Sequence, residues 1–412
     1  THSLLTIKQP FLVLHPSNLL NKHTKQRFNR QYFKKGYVSN KDIHYMKKIC
    51  VSVSNDLLCD NRVWKTCKSI SASGLSVKLI GRAFSDSPEL PKQTYECKRL
   101  KIRFRKNILY YAELNLKLFF HLLFSKQDIL WANDLDTLLP NWLVAKLKRK
   151  PLIFDSHEHF TQVPELKKNP FAQKVWKKIE SLCIKGCDAV FTVCNPIKDY
   201  FKSEYGVDCL VVRNIPSKTA INTTRIASKD KENILVWQGA VNVERGLEEL
   251  CEAMQYVNGE LNIMGVGDIK TDLETMAKTL GIEDKVHFLG RLPFEKMMNE
   301  TKKAKLAISI DKPTNGNYAI SLPNKIFEYI DAAVPVLVSP LQEIEPIVRN
   351  FKTGVFINSY DPTELAKQIN ELLSNDSLLD SLAENCRIAA QEFCWENEEE
   401  RIVETIKRLK LL

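Results

Sequence analysis

The 412-residue sequence predicts an α/β protein with two domains, each built on a parallel β-sheet covered by helices, that face each other across a cleft. Short apolar runs rich in β-branched residues alternate with longer amphipathic runs, a pattern typical of buried parallel strands between helices. This alternation occurs twice along the chain. A polar stretch at 217–233 without a large apolar cluster separates the two arrays, and we interpret it as the linker.

Each array contains six predicted strands. In the first array they are expected at 49–53, 76–80, 129–131, 152–154, 189–193 and 210–212. In the second array they are expected at 234–238, 260–264, 286–289, 306–310, 336–338 and 355–357. The predicted domains are therefore residues 46–216 and 234–390, and a helix is expected in the remaining segment, 391–412.

Residues 1–45 differ from the rest of the chain in charge. They carry eight lysines and arginines against one acidic residue, Asp42, and show no sustained period of 2 or 3.6. The first methionine is Met46, and the first predicted strand follows it closely. We interpret the segment as a basic extension that is poorly ordered or not native to the working protein. The alternative is a basic arm that contacts anionic lipid.

Composition excludes several classes of protein. Hydrophobic residues make up 44% and charged residues 26%, which excludes a wholly disordered or fibrous chain. No uncharged apolar run reaches the roughly 18 residues that a membrane span needs. The formal net charge is +11, but residues 1–45 supply +7 of it, so the body of the chain offers little support for nucleic-acid binding. The eleven cysteines follow no disulfide spacing, and we expect a reducing, cytoplasmic location.

Polar residues follow the first predicted strand, at the end where ligands bind in α/β sheets. Asp56 lies in this loop, and Asp60 is a candidate N-cap for a helix that begins near Val63. Arg62 would then lie over the cleft and contact an acceptor. The alternative is a structural cap followed by a surface arginine.

Two further loops of the first array contain candidate site residues. Asp134 and Asp136 form a D-x-D pair that could hold a cation with diphosphate, but we favour Asp136 as the N-cap of a helix at 137–148. The next strand runs into His157 and Glu158, where the histidine would bind or orient a substrate hydroxyl that the glutamate positions. The alternative is an ordinary loop histidine. The spacing differs from the H-E-x-x-H zinc pattern, and we predict no metal site.

The second array offers an anion site after its first strand. Gly239 allows close approach of a ligand to the backbone, and Arg245 adds a permanent cation before the next helix. Gly265 follows the second strand at another tight turn, but the third glycine of a dinucleotide fingerprint is missing. Lys325 and Glu328 are three residues apart on one helix face, so one could meet diphosphate and the other a ribose diol. The alternative is a surface ion pair.

Residues 46–412 resemble the bacterial GT-B glycosyltransferases of retaining family 4. The motifs that carry the resemblance occur in the family's order: Asp155-Ser156-His157-Glu158, Gly239 to Arg245-Gly246, Phe288-Leu289-Gly290 and Leu322-Pro323-Asn324-Lys325-Ile326-Phe327-Glu328-Tyr329. The resemblance implies two Rossmann-like domains and a C-terminal helix that crosses back to the N-domain. It also implies retaining transfer of a sugar from a UDP- or GDP-sugar to a glycan or lipid-linked acceptor, in surface polysaccharide or lipopolysaccharide synthesis. No metal or other cofactor is implied.

The resemblance also implies roles for individual residues. Arg245 and Lys325 would neutralise the donor diphosphate, Glu328 would hold the ribose hydroxyls, and His157 would lie near the transferred sugar. It also implies that the segment with Arg291 and Leu292 meets the base. From their loops we further expect donor contacts at Gly239, Gly265 and Asn324, and acceptor-side contacts at Asp56, Arg62, Asp134 and Glu158. The sequence departs from the family in having Ala240 in place of an arginine and Ile320 in place of a glutamate, so the sugar is not predicted.

Two alternative functions stay open at this point. Another GT-B enzyme, such as a nucleotide-sugar epimerase, would turn over the donor without an acceptor. A nucleic-acid-binding protein would show steep salt dependence and would need residues 1–45. The apolar and basic stretch 114–126 could also contact the inner face of the plasma membrane, but we favour a helix packed on the sheet.

Overall fold

The computed structural model describes residues 46–58, 60–218, 226–314 and 319–411. The first domain contains strands β1 (Lys48–Ser52), β2 (Ser76–Ala83), β3 (Glu96–Lys101), β4 (Ile129–Asn133), β5 (Leu152–Ser156), β6 (Ala189–Thr192) and β7 (Leu210–Val211). They form one parallel sheet in the order β3-β2-β1-β4-β5-β6-β7. The predicted basic extension, residues 1–45, and part of the predicted linker lie outside the described residues.

The second domain contains strands β8 (Ile234–Gln238), β9 (Glu260–Met264), β10 (Val286–Phe288), β11 (Leu306–Ser309), β12 (Val336–Val338) and β13 (Gly354–Phe356). They form a second parallel sheet in the order β10-β9-β8-β11-β12-β13. Both strand orders reverse direction beside the first strand of the domain, and ligands bind at such a reversal in doubly wound sheets. The prediction of two parallel α/β domains is confirmed.

Helices cover both faces of each sheet. In the first domain they are α1 (Asn61–Ala72), α2 (Asn107–Phe124), α3 (Leu135–Lys148), α4 (Pro164–Lys167), α5 (Pro170–Cys183) and α6 (Asn195–Tyr205). In the second domain they are α7 (Leu247–Ala253), α8 (Lys270–Leu280), α9 (Phe294–Lys303), α10 (Asn324–Asp331), α11 (Glu345–Phe351), α12 (Pro362–Leu373) and α13 (Asp376–Glu392). The predicted cap of α1 is confirmed, because Asp60 accepts a hydrogen bond from the Val63 N–H at 3.0 Å. No helix of this described part is long and apolar enough to cross a membrane.

The last helix, α14 (Trp395–Arg408), returns to the first domain, as the family resemblance implies. Trp395, Ile402 and Ile406 are buried in the core of the first domain. The indole N–H of Trp395 donates to Ser69 Oγ on α1 at 3.0 Å, and its backbone N–H donates to the Pro216 carbonyl at 2.8 Å. The chain therefore passes between the domains twice, with the two crossing segments hydrogen-bonded side by side.

The strand β3 was not predicted. Its sequence E-C-K-R-L-K contains four charged residues among six, so it lacks the apolar run used to identify the other strands. β3 lies at the edge of the sheet and pairs only with β2. An edge strand tolerates charged side chains because one of its edges faces solvent.

Candidate active site

A cavity of about 590 Å³ lies between the carboxyl ends of the two sheets. This volume is typical of sites that enclose a small-molecule ligand. Residues of both domains line it, so a ligand there would touch both. Of the residues predicted from the sequence, the structure brings together His157, Glu158, Gly239, Arg245, Asn324, Lys325 and Glu328.

One buried carboxylate holds the two predicted cations. Asp311 is fully buried and accepts a hydrogen bond from Arg245 Nη1 at 2.9 Å and another from Lys325 Nζ at 3.2 Å, through separate oxygens. The ammonium of Lys325 also lies 4.6 Å from the centre of the Trp237 ring. Burial lowers the pKa of Lys325, and Asp311 opposes this effect. Two cations with one anion leave this trio positively charged beside the cavity, which suits an anionic ligand.

Asp311 was missed by the sequence analysis. It comes directly after the apolar run 306–310, at the carboxyl end of β11. A polar residue at the end of an apolar strand is the signal that identified the loop after β5. The same signal would have identified Asp311.

Glu328 is held in place by a glutamine that the sequence analysis also missed. Gln238 Nε2 donates to the Glu328 carboxylate, while Gln238 Oε1 accepts a hydrogen bond from Thr301 Oγ1 at 2.9 Å. Because an ionised carboxylate can only accept hydrogen bonds, the amide group of Gln238 points its NH₂ toward Glu328. Burial raises the pKa of Glu328, and Gln238 opposes this shift. The structure pairs Glu328 with Gln238 and Lys325 with Asp311, rather than forming the surface ion pair considered from the sequence.

His157 lies between two carboxylates. Its backbone N–H donates to Asp134 Oδ1 at 2.8 Å, and its Nδ1 lies 3.3 Å from Asp134 Oδ2. Its Nε2 lies 3.3 Å from Asp155 Oδ2. Burial alone would lower the pKa of His157, but the two carboxylates outweigh it and raise the pKa to about 9. This raised pKa favours the imidazolium form of His157 at neutral pH, with a carboxylate facing each ring nitrogen.

Arg62 is buried at the cleft, where it lines a small cavity together with residues of both domains. Only 3% of the residue is exposed, and Nη2 donates to Asp155 Oδ1 at 2.6 Å while Nη1 donates to the Val212 carbonyl at 2.6 Å. Burial favours the neutral form of Asp155, but Arg62 and His157 hold its pKa well below the usual range. The small cavity has a volume of about 170 Å³ and is also lined by His157. Arg62 therefore acts on the site mainly by holding the Asp155 carboxylate in its charged form.

The predicted N-cap role of Asp136 is wrong. α3 begins at Leu135, so Asp136 lies in its first turn and Asp134 occupies the cap position. Asp134 adopts a φ of 57°, which turns the chain from β4 into the helix earlier than expected. Burial, reinforced by the charge of Asp134, raises the pKa of Asp136 to about 7. Among the described residues, no group of three or more His, Cys, Asp or Glu side chains could hold a metal ion.

Besides Arg62 and Asp134, four predicted site residues lie outside the cavity lining. A Cβ on Gly265 would stand 1.8 Å from the Gly239 carbonyl, so this glycine lets the two loops pack together. Arg291 is exposed, and Leu292 packs against the core of the second domain. Asp56 accepts the Leu58 N–H at 3.2 Å and shapes the first loop. Direct ligand contacts by these residues stay predictions.

We expect Arg62→Ala to destabilise the protein by about 3–5 kcal/mol, because it leaves the buried Asp155 carboxylate without its main partner. Urea unfolding of the wild type and the variant, followed by tryptophan fluorescence, measures the change. The matched control is Lys202→Ala, which breaks an exposed ion pair with Asp208 in the same domain and should cost less than about 1 kcal/mol. Equal midpoints for the two variants would contradict a structural role for the buried pair.

The fold and the cavity define a two-domain α/β protein whose cavity between the domains is lined by two cations, Arg245 and Lys325, that suit an anionic ligand. The family profile described as Glycosyltransferase Family 4 matches residues 60–216, and the profile described as Glycosyl transferases group 1 matches residues 220–392. Together the two profiles cover most of residues 60–392, and the chain belongs to the glycosyltransferases with the GT-B fold.

Individual relatives agree with this family. An uncharacterized glycosyltransferase of Methanocaldococcus jannaschii is 26% identical over 192 residues, which are 45% of this chain and 47% of that protein. The chain thus spans about half the length of the curated relatives it matches. The structure of sucrose-phosphate synthase from Thermosynechococcus elongatus matches with a TM-score of 0.71 and 16% identity, over 89% of this chain and 99% of that one. Anabaena HepE in complex with UDP-glucose matches with a TM-score of 0.66 and 15% identity, over 88% of this chain and 99% of that one.

Proposed function

We propose that the protein transfers a sugar from a nucleoside diphosphate sugar to a hydroxyl of a glycan or lipid-linked acceptor, with retention of the anomeric configuration. The observation that carries the proposal is the pair of cations on Asp311 beside the Glu328–Gln238 pair, within one cavity. A nucleoside diphosphate presents the complementary groups, an anionic diphosphate next to a ribose diol. Arg245 and Lys325 would bind the first group, and Glu328 would accept hydrogen bonds from the second.

The reaction breaks the bond between the anomeric carbon and the diphosphate oxygen. The bonding electrons leave with the diphosphate, so negative charge develops there while the sugar ring becomes positively charged. Preorganised cations stabilise that departing charge, and Arg245 and Lys325 are held for this by Asp311. The acceptor oxygen bonds to the anomeric carbon on the face that the diphosphate leaves, and its proton passes to the departing phosphate. Retention follows from attack on this same face.

His157 would contact a hydroxyl of the transferred sugar or the acceptor from the wall of the first domain. Because carboxylates face both ring nitrogens, we assign the imidazolium an electrostatic and positioning role. Transfer would then require no protein nucleophile or base. Closure of the two domains would exclude water, and this matters because hydrolysis competes with transfer.

UDP is the nucleotide we favour, since HepE matches this fold and is described with UDP-glucose. A surface polysaccharide or lipopolysaccharide intermediate is the acceptor class implied by the sequence resemblance. Residues Glu158 and Asp134, on the wall of the first domain, would face it.

The experiment that tests the donor site measures the thermal unfolding of the full chain with UDP, GDP, ADP, CMP and NAD, each with and without magnesium. A nucleotide at 100 times its dissociation constant adds about 2.7 kcal/mol and shifts the unfolding temperature by a few degrees. We expect one nucleoside diphosphate to produce this shift without magnesium. Absence of any shift in folded protein would contradict the donor site.

Glu328→Ala should abolish most of that shift, because the ribose hydroxyls lose their acceptor. The matched control is Glu343→Ala, which removes a glutamate of the same domain that hydrogen-bonds to Asn195 outside the cavity lining. A shift in Glu328→Ala equal to that of the wild type would show that the nucleotide binds elsewhere. Incubating the donor alone then separates transfer from epimerisation, since only an epimerase converts the sugar nucleotide without an acceptor.

A further inference from the structure

Helix α2 exposes an apolar stripe on the side turned away from the protein. Its inner face buries Tyr110, Leu114, Leu118 and Leu122 against the first domain. The opposite side carries a row of apolar residues at i, i+4 spacing, which we call the outer stripe: Ile108, Ala112, Leu116, Phe120 and Phe124. A surface helix is normally polar on its outer face, so α2 departs from the usual pattern.

The exposure of the outer stripe is large. Phe124 is 81% exposed, Ile108 73%, Leu116 59% and Phe120 48%. The rings of Phe120 and Phe124 stack almost in parallel, with centroids 6.4 Å apart. Beside them a shallow groove of about 670 Å³ lies between α2 and the edge strand β3. Contiguous exposed apolar surface of this kind marks an interaction site.

A concentrated positive charge borders the outer stripe. Residues 96–127, which contain β3 and α2, carry eight lysines and arginines and two acidic residues, Glu96 and Glu113, which gives +6. All of residues 46–412 together carry only +4, since 52 basic residues face 48 acidic ones. Lys98, Lys101 and Lys117 line the groove itself. The modest net charge of the body of the protein therefore conceals a strongly basic surface at α2 and β3.

The outer stripe begins next to the proposed acceptor side of the cleft. Tyr110 Oη, in the first turns of α2, donates to the Ser54 carbonyl in the loop after β1 at 2.6 Å. Asn115 Nδ2 donates to the Asp136 carbonyl at the start of α3 at 2.9 Å. These loops follow the carboxyl ends of β1 and β4, the end of the sheet at which the cavity lies. A surface docked along α2 would thus lie close to the entrance for the acceptor.

We infer that the outer stripe and the lysines beside it dock the protein on an anionic lipid bilayer, with the phenylalanines inserted among the headgroups. An apolar face rimmed by lysine matches such a surface in both respects, because the rings gain apolar contact and the ammonium groups meet lipid phosphate. Only the link to acceptor delivery depends on the proposed sugar transfer. The docking itself does not depend on it.

Cosedimentation of the full chain with vesicles tests the inference. We compare phosphatidylcholine vesicles with vesicles that also contain phosphatidylglycerol. The wild type should bind the anionic vesicles more tightly. Replacing both rings, Phe120→Ser with Phe124→Ser, should weaken this binding about tenfold or more. Lys98→Gln with Lys101→Gln should weaken it about fivefold for each charge removed.

Matched substitutions on the second domain control for general surface effects. Ile388→Ser removes an apolar side chain of 57% exposure from α13, and Lys367→Gln removes an exposed lysine from α12. Both should bind vesicles as the wild type does. All variants should keep the thermal shift with nucleotide, so a failure of docking can be told from a failure of the donor site.

Two outcomes would overturn the inference. If both double variants bind anionic vesicles as tightly as the wild type, any lipid binding belongs to another segment, such as the basic residues 1–45. If the wild type forms a dimer without lipid and the phenylalanine variant does not, the outer stripe is an interface with a second copy. Sedimentation velocity on the same proteins distinguishes this second outcome.

Discussion

The Lys325→Ala variant should transfer sugar about 100- to 1,000-fold more slowly than the wild type at saturating donor. The reason is that the ammonium is preorganised toward the cavity by Asp311 and Trp237, so it meets the departing diphosphate without further rearrangement. Removing one such donor of an electrostatic site typically costs this much in kcat. The charge on the diphosphate grows as the bond breaks, so kcat should fall more than donor affinity.

The matched control for this prediction is Lys305→Ala. Lys305 is also a buried lysine of the second domain and pairs with Asp376 at 2.8 Å, but it does not line the cavity. Its loss should lower the unfolding temperature and leave the transfer rate of the folded protein unchanged. The kinetic measurement is steady-state transfer to the acceptor at saturating donor. Equal rate losses in both variants would mean that lysine burial, not charge at the donor site, controls activity.

Much of the fold was predictable because its signals are local. The buried strands are continuous apolar runs, and the polar break near 217–233 separates the two sheets. β3 was not predicted because it lacks an apolar run. A charged strand is stable at the edge of a sheet, and the edge position is set by the fold rather than by the local sequence. Asp136 was misplaced because the cap depends on the backbone conformation of Asp134.

The site was predictable only in part, for a related physical reason. Lys325 and Glu328 stand on one helix, and their spacing alone put them on the same face. Their partners are Asp311, in the loop after β11, and Gln238, at the end of β8. They lie 14 and 90 residues away in sequence and meet the helix only in the folded domain. Burial and charge then decide how each group behaves. Sequence spacing located the site residues but could not tell that each cation or carboxylate already has a fixed partner.

The outer stripe of α2 could not be predicted from the sequence, for a different reason. The sequence indicated an apolar and basic stretch at 114–126, and packing on the sheet was the favoured interpretation. The structure shows that packing uses only one side of the helix. Because the opposite side is apolar as well, packing and lipid contact are compatible uses of the same element. The composition of the segment does not tell which apolar residues are buried and which are exposed, since residues of both faces are counted together.

The second prediction with a large expected effect concerns His157 and the pH dependence of the transfer rate. Its pKa of about 9 lies above the ordinary value of 6.5 because Asp134 and Asp155 favour the cation more strongly than burial disfavours it. The cation therefore stabilises the fold fully below pH 6.5, and this contribution disappears as the pH rises toward 9. If the imidazolium also supports transfer, the rate should stay high through neutral pH and fall only on the alkaline side.

We expect His157→Ala to lower kcat about 100-fold, as for loss of one charged donor, and to remove the alkaline fall from the pH profile. Asp134→Asn should keep the histidine but shift that fall toward neutral pH, because one of the two stabilising carboxylates is gone. Asp208→Asn, on the surface of the same domain, is the control and should leave the profile unchanged. The measurement is kcat at saturating donor across pH 6 to 10 for the four proteins, a range set by the ordinary and raised pKa values. A profile that rises through pH 6.5 in the wild type would instead identify His157 as a base, since a base gains activity as it loses its proton.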